Sequence, residues 1–162
     1  MSKWQRGSNL IEVLVTVLVV SIGLLGMASL QLKSMALNLA TYQRLQASNL
    51  AYEIAESLLL NSLEAKASSY TLAIADTEPQ NAAVGSIAEL DLLHWLRVVG
   101  NNLPEGDLII TAPQDIVGGP ITSSAKQYDI SVCWTDRHAD VATNECGTNL
   151  RKGLFKITVG GR

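Results

Sequence analysis

The sequence predicts an α+β fold: one long N-terminal α-helix, apolar in its first half, packed on a small C-terminal antiparallel β-sheet head. Three observations carry this. Residues 13–30 contain no charged side chain. No proline occurs before Pro79, while apolar residues recur past the uncharged run at spacings of three and four. Two late stretches, 128–134 and 154–159, alternate apolar and polar residues as half-buried strands do.

The uncharged run comes first. At 1.5 Å per residue, a helix through it approaches the roughly 30 Å of a bilayer's hydrocarbon core. A carboxylate, Glu12, stands at its head. Burying a charge in lipid costs at least about 2–3 kcal/mol unless it finds a partner. Three readings account differently for this segment. In a secretory signal peptide, Lys3 and Arg6 form the basic region and cleavage follows Ala28. An ordinary signal anchor leaves Glu12 unexplained. A short basic leader, residues 1–7, cut after Gly7, creates a new α-amino group on Ser8, four residues before Glu12. That amine is largely cationic at neutral pH. In side-by-side helices it can meet the carboxylate of a neighbour, and such a buried pair can set register.

The arrangement of Lys3 and Arg6, Gly7, then Ser8-Asn9-Leu10-Ile11-Glu12-Val13-Leu14-Val15 resembles the leader site of type IV pilins and type II secretion pseudopilins. Ser8 stands where that family usually has phenylalanine. The resemblance implies a membrane peptidase that cuts after Gly7 and methylates Ser8, and a docking role for Glu12 between subunits. It also implies the bacterial inner membrane and other pilins as partners.

Beyond the apolar run, Met35, Leu39, Tyr42, Ala47, Leu50, Ile54 and Leu58 describe one helical face, with Glu53 and Glu56 outside it. One helix over residues 10–63 would be about 80 Å long. A break near Lys33 is the alternative. The division expected is a leader at 1–7, a transmembrane half at 8–32, an amphipathic half at 33–63 and a head at 64–162. Gly23 and Gly26, with Ser21 and Ser29, either permit close helix approach or reflect the ordinary glycine content of membrane helices.

Residues 65–85 read as a connection with at most one short element. Ser86 and Glu89 fit a capping box for a helix over 86–99. Apolar residues Ile87, Leu90, Leu93, Leu96 and Val99 follow the cap, with Trp95 as the expected anchor to the core and Gly100-Asn101 as the stop. Leu103-Pro104-Glu105-Gly106 signals a turn, 107–111 a short strand and 113–120 a loop. Tyr128, Ile130, Val132 and Trp134 should share one sheet face, as should Phe155, Ile157 and Val159. A helix bearing a tryptophan, a Leu-Pro-x-Gly turn and a V-x-W-x-D strand, at 91–106 and 131–136, resemble the minor-pilin group of type IV pilus modification proteins (PilV). That group implies a role in a complex that primes pilus assembly.

The 162 residues carry a net charge of −3, with 48% apolar and 17% charged residues. An acidic chain without a Lys/Arg cluster argues against general nucleic-acid binding. With Lys3 and Arg6 cytoplasmic, the rest of the chain faces outward, where Cys133 and Cys146 can form a disulfide. The alternative is two buried thiols. A bridge would close a loop of about 14 residues. The sequence contains no Walker loop, G-x-S-x-G, C-x-x-C or H-E-x-x-H, and its two histidines, His94 and His138, have no ligand partners at helical spacing. Asp136, Asp140, Asn144 and Glu145 lack EF-hand spacing and read as a solvated loop. The expectation is a structural subunit, not an enzyme, with no cofactor and no metal. The alternatives are a type II secretion minor pseudopilin and, from another class, a secreted or anchored binding domain behind an ordinary signal peptide.

Overall fold

The computed structural model describes residues 8–115, 126–136, 146 and 152–161, with side chains excluded at 8, 9, 152 and 161. Gly7 and the leader, the Ser8 side chain, Gly118-Gly119, and His138, Asp140, Asn144 and Glu145 lie outside the described residues.

One helix, α1, runs Ser8–Leu60 through Lys33 without a break. The chain divides into two compact units, up to Leu39 and from Ala40 onward. In the first unit every described side chain from Leu10 to Met35 is exposed. In the second unit α1 buries Ala47, Leu50, Ala51, Ile54, Ala55 and Leu58, while Glu53 and Glu56 face out. The expected stripe is therefore shorter than its spacing suggested. Met35, Leu39 and Tyr42 are 70%, 57% and 57% exposed. Periodicity alone cannot tell a buried face from an exposed one.

After α1 comes α2 (Ser62–Lys66), and then the rest of the connection expected over residues 65–85. It places Tyr70 and Leu72 in the core, and Leu72 exchanges both backbone hydrogen bonds with Ile110 at 3.0 Å. Helix α3 (Ile87–Asn102) starts at Ser86, whose Oγ accepts from the Glu89 N–H at 3.2 Å. The Glu89 carboxylate reaches back one residue further than a capping box requires, accepting from Gly85 N–H at 2.5 Å. Ser86 N–H is already used by the Ala83 carbonyl. Glu64 on α2 accepts from Ala88 N–H at 3.1 Å. Three of the orphan donors at the start of a helix are thus accounted for, two by neighbours in sequence and one by Glu64 of α2.

The face α3 buries is Ala88, Leu92, Trp95 and Val99, which includes one of the five apolar residues that the sequence singles out, Val99. Residues spaced strictly by three rotate by about 60° per step on a 3.6-residue helix, so Ile87, Leu90, Leu93, Leu96 and Val99 cannot share a face. Ile87 and Leu90 are 60% and 61% exposed. The anchoring role of Trp95 holds. Gly100 lies inside the helix, which ends at Asn102 with Leu103 as cap.

The chain then turns at residues 103–106, where Gly106 N–H bonds the Leu103 carbonyl at 3.1 Å. Proline at the second position and Glu105 at φ 49° give the pattern of a type II turn. Gly106 is required there, since a Cβ would collide with the Val99 carbonyl. Strand β1 (Asp107–Ile110) follows. The loop expected at 113–120 contains a two-residue strand, β2 (Gln114–Asp115), placed by pairing with Gln127 and Lys126.

Strand β3 (Lys126–Thr135) is the centre of the sheet, antiparallel to β1, β2 and β4 (Lys152–Gly161). Its register sets Tyr128 opposite Val159, Ile130 opposite Ile157, Val132 opposite Phe155 and Trp134 opposite Gly153. Leu108 and Ile110 of β1 oppose Val132 and Ile130. The predicted alternation is therefore the inner face of the sheet, and this face shares one core with the last turns of α1, with α3 and with Tyr70 and Leu72. Gly153 has no side chain because the Trp134 indole fills that space.

Candidate functional site

Two regions draw attention, each built from sequence upward. The first is the exposed part of α1. Among its large apolar side chains between Leu10 and Leu32, exposure runs from 50% at Val15 to 83% at Leu10. A contiguous apolar surface of this extent is not stable in water and marks a partner or a lipid phase. Its hydroxyls are already satisfied inside the helix: Thr16 Oγ1 donates to the Val13 carbonyl at 2.8 Å and Ser21 Oγ to that of Val17 at 2.6 Å. Internal pairing of this kind is what a hydrocarbon phase demands. Around Gly23 and Gly26 an added Cβ would meet nothing within 4 Å among the described residues. The helix is long and apolar enough to cross a membrane.

Glu12 is the fifth residue of α1 and is exposed. It is the one charged residue between positions 10 and 32. Among the described residues no cation pairs with it. Its place near the start of the helix sets the carboxylate toward the positive end of the helix dipole. Of the sequence-predicted site residues, Ser8 opens the same helix, while Gly7 is outside the described residues.

The second region is the head. Cys133 on β3 and Cys146 form a disulfide with a Cα–Cα distance of 5.8 Å, and both residues are buried. A polar link missed by sequence reasoning lies between the segment after α2 and α3. Tyr70 OH donates to Asp91 Oδ2 at 2.7 Å and accepts from Asn61 Nδ2 at 2.9 Å. The Tyr70 ring stacks on Trp95 with centroids 5.6 Å apart. Burial, then the hydrogen bond to Asp91, raise the Tyr70 phenol well above its ordinary value. No periodicity flagged Tyr70, because it sits in an irregular segment.

Beside α3, an open cleft of about 580 Å³ is lined by Asp76, Leu93, Leu96, Arg97, Glu105 and Asp107, among others. Its carboxylates are largely engaged in holding the loops: Asp107 accepts from Ala75 N–H at 2.9 Å, Asp76 from Ala73 N–H at 2.8 Å, and Glu105 from the Thr135 hydroxyl at 2.6 Å. His94 is exposed. Among the described residues no three His, Cys, Asp or Glu side chains gather as a metal set.

Comparison with protein-family models, with curated proteins and with solved structures finds no match.

Proposed function

We propose that this chain is a minor type IV pilin of the PilV-like group, a structural subunit that helps prime and assemble pili. The observation that carries the reading is Glu12: a single carboxylate near the start of a helix whose apolar residues from Leu10 to Leu32 are all exposed. A plain membrane anchor has no use for it. A bundle of such helices does, because each neighbour brings a terminal amine. In this account the leader stays in the cytoplasm and the prepilin peptidase cuts after Gly7. The helix then waits in the inner membrane with the disulfide-bonded head in the periplasm, and assembly moves it into a bundle with other minor and major pilins. The head, an antiparallel sheet sharing its core with the later turns of the same helix, supports the reading.

Mass spectrometry of the mature chain tests it. The expected first residue is Ser8. A chain beginning at Ser29 would instead indicate a secreted binding domain with an ordinary signal peptide. Deletion then separates the two assembly systems: a pilin loses twitching motility, whereas a type II secretion pseudopilin loses protein export.

A further inference from the structure

Helix α3 is apolar on two opposite faces. Ala88, Leu92, Trp95 and Val99 enter the core. On the far side Ile87, Leu90 and Leu93 remain 60%, 61% and 37% exposed. Exposed His94 shares this side, and Glu89 and Asp91 lie between the two faces, so the outer apolar surface is a ridge bordered by polar side chains. This outer ridge is continuous with the open cleft, because Leu93 belongs to both and Arg97, one turn on, lines the cleft as well. The cleft sets three carboxylates, Asp76, Glu105 and Asp107, against that one guanidinium. The surface is therefore an apolar ridge ending in a negative pocket.

We propose that the outer face of α3 docks an amphipathic segment of a different protein, apolar along the ridge and carrying a lysine or arginine that enters the cleft. Charge selects this occupant. A second copy of this chain is itself acidic, at −3, and an anionic lipid surface would be repelled by the pocket. The surface lies wholly within the head and does not depend on how Glu12 is used, so either idea can fail while the other stands.

The test is photo-crosslinking of the full chain in its own cells, with a benzophenone amino acid in place of Leu90, a position exposed enough to accept it. The crosslinked peptide is mapped by mass spectrometry. The expected product joins Leu90 to a segment of another protein with apolar residues at spacings of three or four and a basic residue within two turns. Its yield should fall at least fivefold in Asp76→Lys/Glu105→Lys, and recover when the partner's basic residue is changed to glutamate. Thermal unfolding of the charge variant checks that the head is intact. A crosslink to a second copy, to lipid or within the chain would overturn the proposal. So would no crosslink at all, or a yield indifferent to the charge reversal.

Discussion

The phenol of Tyr70 donates a 2.7 Å hydrogen bond to the carboxylate of Asp91, tying an irregular segment to the middle of the head. Tyr70 is 1% exposed and also stacks on Trp95. The bond leaves neither partner unsatisfied, and its loss exposes the cost of the one left behind. Tyr70→Phe keeps the stack and should destabilise the head by about 1–3 kcal/mol. Tyr70→Ala loses the ring as well and should cost about 3–5 kcal/mol. Urea unfolding of the full chain, followed by tryptophan fluorescence, measures both.

The same residue gives a pH dependence. Burial, with the Asp91 bond second, raises Tyr70 above the ordinary value of 10.0, and burial raises Tyr128 in the same direction. A raised folded value means the native state holds these protons more tightly than the unfolded chain. The stability they contribute is fully present below pH 10 and is lost as pH rises above it. Tyrosinate absorbance should therefore show two phenols ionising late, together with unfolding. Ionisation of all four tyrosines near pH 10 with the fold intact would contradict this.

The buried face of α1 begins at Ala47. Ile54, 1% exposed, should cost about 2–5 kcal/mol when changed to alanine. Met35, 70% exposed, should change head stability by less than about 0.5 kcal/mol under the same substitution. Differential unfolding of the two variants separates the face that packs in the head from positions that are exposed among the described residues.

Gly153 faces the Trp134 indole across the sheet. Gly153→Ala drives a methyl group into the ring and should destabilise by about 1–3 kcal/mol. Near-ultraviolet circular dichroism should report a changed tryptophan environment.

Removing the disulfide with Cys133→Ala/Cys146→Ala should cost about 3 kcal/mol in the chain-entropy model. Because both half-cystines are buried, reduction of the native chain should be slow and should accelerate in denaturant. Thiol labelling over time checks it.

Much of this head was readable from residue order, for reasons that differ by element. In β3 the period of two is unambiguous, because Tyr128, Ile130, Val132 and Trp134 are large and their neighbours Asp129 and Ser131 are polar. Ser86 announced α3 because a hydroxyl before an apolar run has a single local use. The inner face of α3 was not readable. Its core side includes the small Ala88, while Ile87 and Leu90, more apolar to the eye, point away. Tyr70 and Leu72 were hidden because one bridge to Ile110 leaves no period to detect. Strand β2 was hidden because two residues are too few to alternate. Within the candidate site, Glu12 stood out as a charge in an apolar run. The cleft did not, since Asp76, Arg97 and Glu105 come together only when the turn at 103–106 folds back.

The central claim is that Glu12 exists to be paired by neighbouring helices. Quantitative immunoblotting of sheared pili from cells carrying Glu12→Leu tests it most directly, with the mature N-terminus read in parallel. The account predicts cleavage before Ser8 as in the unmodified chain and at least a tenfold loss of the subunit from fibres. Normal cleavage with undiminished incorporation would contradict it.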